Sequence, residues 1–163
     1  MTEFIARDAI ETARSIIQQA LQQGRFELLE PEARELAKAF GITTPEYRVV
    51  TSPGDAVQVA AAIGFPVVLK IVSPNIIHKT DVGGVKVGIN DNKGVNAAYM
   101  EIVNNVQKNC PDAKIRGVIV SEMALPAPEV IIGGLRDPQF GPAVMFGMGG
   151  VFVEIFKDIS FRI

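Results

Sequence analysis

The stretch PNIIHKTDVGGVKVG, Pro74 to Gly88, contains the chain's single histidine, His78, between two isoleucines and a Lys-Thr-Asp that leads into Gly83-Gly84. Lys79 supplies a cation there. Thr80 and Asp81 are groups able to orient an imidazole N–H, and paired glycines are able to present amide donors to an oxyanion. A neighbouring ammonium together with partial burial favours neutral imidazole, whose free nitrogen is a nucleophile. A phosphoryl group suits that nitrogen, because a phosphoramidate can return its phosphoryl to ADP whereas a serine ester cannot. The plainer alternative is a hydrogen-bonded loop histidine. A metal site is disfavoured, since no second histidine and no nearby cysteine accompany it.

Lys70 is the second anomaly. An ammonium between Leu69 and Ile71 in an apolar strand demands a counter-charge, and two partners remain open: an internal carboxylate such as Glu122 or Glu154, or a nucleotide phosphate. Glu122 ends the apolar run VIVSEM, after Ser121 and before Met123. A strand end with free main-chain N–H and C=O offers a purine a donor and an acceptor, and a thioether packs well on its ring. The pairs Gly83-Gly84, Gly133-Gly134 and Gly149-Gly150 fit neither a Walker loop nor a dinucleotide fingerprint, and singly they read as turns and bulges.

The elements that must hold these residues follow from periodicity. Ala9, Ile10, Ala13, Ile16, Ile17, Ala20 and Leu21 predict a helix, with Asp8 and Glu11 spaced as a capping box and Gly24 as its stop. A second helix is predicted to open at Glu30-Pro31, bury Ala33, Leu36, Ala37 and Phe40, and end at Gly41. A third runs from Ser52-Pro53 to Gly64. Tyr47 to Val50 predicts a short strand, and Pro66 to Ser73, apolar on both faces, a strand inside a sheet. Val85 to Ile89, a helix through Val95, Ala98, Ile102, Val103 and Val106, and Ile115 to Val120 predict a strand-helix-strand unit. From Glu129 the short apolar runs, with a turn at Asp137-Pro138, predict antiparallel strands. ALPAP, Ala124 to Pro128, is the expected hinge between two lobes.

Composition limits the function. The 163 residues are 48% hydrophobic and 21% charged, enough for a real core. A net charge of -2 and an isoelectric point near 5.5 provide no field for nucleic acid. One cysteine, Cys110, forms no internal disulfide. Glu3, Asp8 and Glu11 interrupt any leader-like N-terminus, and Gly64, Pro66 and Lys70 break the apolar run Val57 to Val72, so no membrane segment is expected and the location is cytoplasmic.

FPVVLKIVSPNIIHKTDVGGV, GVIVSEM, FGMGGVFVEIFKDISFRI and LLEPEARELAKAFGITTPEY together resemble the ATP-grasp region of ADP-forming acyl-CoA synthetases, above all the β subunit of the archaeal acetyl-CoA synthetases, over residues 28 to 163. The resemblance implies an α/β fold of ATP-grasp type: an N-terminal helix over 1–27, a first lobe over 28–123 carrying a phosphohistidine loop at 74–84, and the start of a second lobe over 124–163. It implies conversion of acyl-CoA, ADP and phosphate to acid, ATP and CoA, with a CoA-binding α subunit as partner. Its residues would be His78 as phosphoryl carrier, Lys70 on nucleotide phosphates, and Ser121, Glu122 and Met123 at the adenine hinge, with Gly83 and Gly84 in the loop. ATP or ADP would be bound. The family's magnesium ligands lie further on, so they are expected beyond Ile163; the chain stops within an apolar pattern and reads as truncated. A complete enzyme would need that metal segment, whereas a phosphocarrier or nucleotide-binding module needs only His78, Lys70 and the hinge. A regulatory module, like the related region fused to protein acetyltransferases, is the alternative that His78 disfavours.

Overall fold

The structure is a computed structural model that describes residues 7–149 and 159–162. The chain divides into two compact units between Ala124 and Leu125.

The first unit contains α1 (Arg7–Gln22), α2 (Glu30–Ala39), β1 (Tyr47–Val50), α3 (Pro53–Ile63), β2 (Val67–Val72), β3 (Val85–Ile89), α4 (Asn92–Asn109) and β4 (Gly117–Glu122). Its sheet has the order β1-β4-β2-β3, and every neighbouring pair is antiparallel. β3 and β4 therefore run parallel on either side of β2, with α4 as the crossover, which is the strand-helix-strand unit expected from the sequence. β1 and β2 relate in the same way through α3, on either side of β4. β4 begins at Gly117 rather than Ile115, because its last register partner is Val72, where β2 ends.

Alternation along β2 assigns its two faces. Val67, Leu69 and Ile71 join Val118 and Val120 of β4 in the main core, under Ala56 and Ala60 of α3 and Val95, Ile102 and Val106 of α4. Small alanines on α3 allow that helix to lie close beside α4. The helix starts are built as their sequences suggest: Ser52 Oγ accepts from the Asp55 N–H at 3.1 Å, and Asp91 Oδ1 accepts from the Gly94 N–H at 2.6 Å, each satisfying a first-turn donor. Lys70 and Ser121 lie on the opposite face, where they meet α2 through Glu30 and Arg34.

The two N-terminal helices depart from expectation. Asp8 lies inside the first turn of α1, and Glu11 pairs with Arg7 at 3.4 Å instead of capping. Only Ala9 and Ala20 of α1 are buried, while Ile17 and Leu21 are exposed. α2 buries no residue fully; Ala33 and Phe40 are exposed and Leu36 and Ala37 half-buried. Its residues toward the sheet are charged, so its attachment is ionic where apolar packing was expected. Glu32 accepts from the Leu29 N–H at 2.7 Å, half a capping box, since leucine has no oxygen to return the bond.

The second unit contains β5 (Val130–Asp137), β6 (Gly141–Met148) and β7 (Ile159–Arg162), antiparallel in that order. Asp137 Oδ1 accepts from the N–H groups of Gln139 at 2.8 Å and Phe140 at 3.0 Å, which forms the turn expected at Asp137-Pro138. Those bonds hold its carboxyl below the usual range.

Candidate active site

The segment between β2 and β3 is fixed at both ends. At its start Ile76 is 7% exposed, within the main core, and Asn75 Oδ1 accepts from the Lys114 N–H at 2.9 Å. At its end Asn105 and Asn109 of α4 donate to the carbonyls of Gly83 at 3.4 Å and Val82 at 3.2 Å. Between these anchors Ile77 is 65% exposed and His78 is exposed. The histidine is thus a projecting group rather than the partly buried one expected from its flanks, and among the described residues no hydrogen bond joins it to Thr80 or Asp81.

Gly83 and Gly84 serve the loop itself. The Gly83 N–H donates to the Thr80 carbonyl at 3.0 Å and the Gly84 N–H to the Lys79 carbonyl at 2.7 Å, so neither is left to hold an oxyanion as expected. Gly83 has φ +69°, a left-handed value that glycine tolerates. A Cβ on Gly84 would lie 2.7 Å from Ile71 Cγ2 and 2.9 Å from the Lys79 carbonyl. Both positions are turn requirements first.

Lys70 has its counter-charge. The partner is Glu30 of α2, at 3.0 Å, and not Glu122; Glu154 lies outside the described residues. The same carboxylate takes three cations, since Arg34 Nη2 reaches Oε1 at 2.9 Å and Lys79 Nζ reaches Oε2 at 3.3 Å. Burial acts to raise the Glu30 carboxyl. The hydrogen bond and charge of Lys70, the hydrogen bond from Arg34 and the charge of Lys79 outweigh that effect, holding it below the usual carboxylate range. The group of four side chains has a net charge of about +2 when all are ionised, so its field favours an anion. It does not suit a divalent cation, and no group of three or more His, Cys, Asp or Glu among the described residues could hold one.

Arg34 connects this cluster to the strand end. Its Nη1 donates to Ser121 Oγ at 3.2 Å and to the Pro45 carbonyl at 3.3 Å, and its guanidinium lies 4.8 Å from the centre of the Tyr47 ring. The Tyr47 hydroxyl faces Glu35 at 2.9 Å. Burial, then the bond to Glu35 and its charge, push that phenol up to about 12. Ser121 is 2% exposed, its hydroxyl placed between Arg34 and the Glu46 carbonyl. Its side chain is a structural clasp. The hinge is also less open than expected, because the Glu122 N–H donates to the Glu46 carbonyl at 2.9 Å and the Met123 N–H to the Pro66 carbonyl at 3.2 Å.

The sequence reading missed Glu30, Arg34 and the two asparagines of α4. Only the Glu30–Arg34 pair had a local signal, the four-residue spacing of opposite charges on a helix. A cleft of about 610 Å³ next to the cluster is lined by Glu30, Ser73, Ile77, Lys79, Lys114 and Arg116 among others.

Residues 19–163 match the family model of the ATP-grasp domain. The chain belongs to the ATP-grasp family. It is 50% identical over 156 residues to the β subunit of ADP-forming acetate–CoA ligase I from Pyrococcus furiosus, a match covering 96% of this chain and 67% of that subunit. Among solved structures it resembles the dinucleotide-forming acetyl-coenzyme A synthetase 1 of Ca. Korarchaeum cryptofilum in complex with coenzyme A and Ca-AMPCP, with 53% identity and TM-score 0.88, over 92% of this chain and 66% of that one. That synthetase has also been solved with its phosphorylated phosphohistidine segment in a site I orientation, at TM-score 0.81 and 49% identity over 92% and 65% of the two chains. With Mg-AMPPCP the segment points towards the nucleotide binding site, at TM-score 0.76 and 48% identity over 92% and 63%. This ATP-grasp chain spans about two thirds of the length of these proteins. Among its described residues no helix is long and apolar enough to cross a membrane.

Proposed function

We propose that this ATP-grasp chain is the nucleotide-side part of an ADP-forming acyl-CoA synthetase, in which His78 carries a phosphoryl group to ADP. Residues 28–123 would be the first lobe, with the loop at 74–84, and 124–163 the start of the second. The observation that carries the reading is the placement of an exposed imidazole on a loop anchored at both ends, next in sequence to a lysine that shares one carboxylate with Lys70. An exposed histidine in such a loop can present its nitrogen to a second protein. The cationic cluster can receive the phosphates of the acceptor.

In the forward direction a neutral imidazole nitrogen of His78 uses its lone pair to form an N–P bond as the bond between phosphorus and the donor breaks. A terminal oxygen of ADP then forms the new P–O bond, the N–P bond breaks, and neutral imidazole is regenerated with ATP as product. Lys70 would hold the nucleotide phosphates. Ser121, Glu122 and Met123 would form the adenine edge through main chain and the Met123 thioether, the Ser121 hydroxyl being already engaged. The described residues do not fit magnesium, so any ion accompanying the nucleotide would be held elsewhere in the enzyme. The donor would be a histidine phosphorylated on a CoA-binding α subunit, and the location cytoplasmic.

Mixed with such a subunit, acyl-CoA and phosphate, the chain is expected to gain an acid-labile, alkali-stable phosphate that His78→Ala abolishes without loss of ADP binding. Persistent labelling of His78→Ala, or labelling confined to the α subunit, would end this reading.

A further inference from the structure

Glu30 stands between two lysines of different duty. Lys70 belongs to the rigid strand β2, while Lys79 belongs to the projecting segment and is the residue next to His78. Each of the two oxygens of Glu30 takes one of them, Oε1 at 3.0 Å and Oε2 at 3.3 Å. The carboxylate itself is held in place by Arg34 and by its position in the first turn of α2, where the helix dipole favours an acidic group. Ile76 and Gly83 fix the ends of the loop, and Lys79 is its one ionic link to α2 among the described residues. Both ammoniums sit within the span of a single carboxylate, a separation that a phosphate could also bridge.

We propose that Glu30 is a positioning residue for phosphoryl transfer, a carboxylate that occupies the phosphate's place between Lys70 and Lys79 and tethers the His78 segment until an anionic phosphate competes for the two ammoniums. The idea rests on the reading of His78 as phosphoryl carrier. Glu30 alone leaves the cluster cationic, so an arriving nucleotide phosphate finds unspent positive charge, and its own charge repels the carboxylate. Lys79 then exchanges a protein partner for a ligand partner, and the histidine beside it is drawn to the phosphate that is to accept its load. Without Glu30 both lysines are free to bind phosphate, but the loop is no longer aimed.

Two variants of the full chain test this. Glu30→Gln removes the charge at nearly constant shape, and Lys79→Met cuts the tether from the loop side at a half-buried position while keeping most of the side-chain volume, so a folding defect in the first does not decide the matter. Hydrogen exchange of the Gly83 and Gly84 amides, which donate to the Thr80 and Lys79 carbonyls, is expected to quicken about threefold to fivefold in both, the scale of one partly exposed ion pair. ADP should change the exchange of the same amides in the parent chain and leave it unchanged in Lys79→Met, where no exchange of partners can occur. Glu30→Gln should bind ADP as tightly as the parent or more tightly, yet discharge phosphorylated His78 to ADP several-fold more slowly, a split that a purely structural glutamate would not give. Unchanged exchange in both variants, or weaker ADP binding by Glu30→Gln with an unchanged discharge rate, would overturn the proposal. Exchange and ADP titration do not need the phosphorylated histidine: if the chain never acquires phosphate the relay fails, while the tether is judged on exchange alone.

Discussion

Lys70 Nζ lies 3.0 Å from Glu30 Oε1, a bond between a central strand and a helix forty positions earlier in the chain. The lysine is thus compensated in the absence of nucleotide, and its replacement has two separable consequences. Lys70→Met does not strand a charge, since Glu30 keeps Arg34 and Lys79. The loss of stability should be about 1 kcal/mol, the scale of a partly exposed pair, well short of the roughly 3 kcal/mol expected when a buried partner is abandoned. ADP affinity should fall by ~1.5 to 3 kcal/mol, as for a charged hydrogen bond. Denaturant titration and calorimetry measure the two. Severe destabilisation with unchanged ADP affinity would make the lysine structural.

The neighbouring glycines should respond unequally to a methyl group. Gly83→Ala must keep φ +69° and meets Asn105, whose Nδ2 at 2.7 Å can turn aside at the cost of its bond to the Gly83 carbonyl, leaving a tight 3.2 Å contact with the Asn105 Cβ. Gly84→Ala meets Ile71, fully buried in the core, and the Lys79 carbonyl that its own N–H already binds. Neither can move cheaply, so Gly84→Ala should lose ~1 to 3 kcal/mol, the cost of overpacking, on top of a slackened Lys79 turn. Thermal melting of the two variants compares them, and equal melting temperatures would contradict the packing argument.

What the sequence made legible was local. A run such as PVVLKIVS reads as a strand in a sheet interior, and the helix start at Ser52, the loop around His78 and the hairpin at Asp137 all follow from residues a few positions apart. The resemblance of the four quoted stretches extended that to the ATP-grasp family, which the family match bears out. The counter-charge of Lys70 was not legible, because Glu30 is brought to it only by the packing of α2 on the sheet. For the same reason Gly83-Gly84 looked like ligand donors: sequence shows that amides are accessible in principle, and only the folded turn shows that Thr80 and Lys79 have taken them. α2 misled the pattern since its Ala33 and Phe40 have helical spacing but face solvent, while charged side chains make the contact.

The depressed Glu30 carboxyl predicts a pH dependence with a definite sign. Its folded pKa is below the unfolded value, so the unfolded chain binds more protons across the carboxylate range. The stabilisation is complete above about pH 4.3, the ordinary glutamate value, and is lost as pH falls through the lower folded value. Glu32 is shifted the same way, burial raising it and the hydrogen bond from Arg25, the Leu29 N–H and the Arg25 charge lowering it further. Denaturation of the parent and of Glu30→Gln should show a stability gap that is constant from neutral pH down to the glutamate range and closes below it. A gap that widened on acidification would have the wrong sign for a carboxylate held ionised by cations.

ADP binding by this chain should depend little on magnesium. On the proposed reading the cations at Lys70, Lys79 and Arg34 would attract the phosphates directly, and no described carboxylate group is arranged to hold an ion between them. Calorimetric titration with and without magnesium should give affinities within about threefold, under 1 kcal/mol. A large gain with magnesium would reveal ligands among residues outside 7–149 and 159–162.

Arg34 offers the sharpest test of how the cluster is held. One guanidinium contacts Glu30, the Pro45 carbonyl, Ser121 Oγ and the face of Tyr47, and this combination needs a planar group with several donors in a fixed fork. A lysine keeps the charge but cannot serve four directions or stack flat on a ring. Arg34→Lys should therefore cost ~1.5 to 3 kcal/mol, the scale of hydrogen bonds to charged groups, although Ser121 retains its bond to the Glu46 carbonyl. Tyr47→Phe keeps the ring and loses only the hydroxyl contacts to Pro31 and Glu35, so it should cost less. Tyr47→Leu removes the ring, and in a double-mutant cycle with Arg34→Lys it should show a coupling of about 0.5 to 1 kcal/mol for the cation over the aromatic face. Additive effects of the two substitutions would mean that the ring is only a neighbour, and that Glu30 and Ser121 alone orient the arginine.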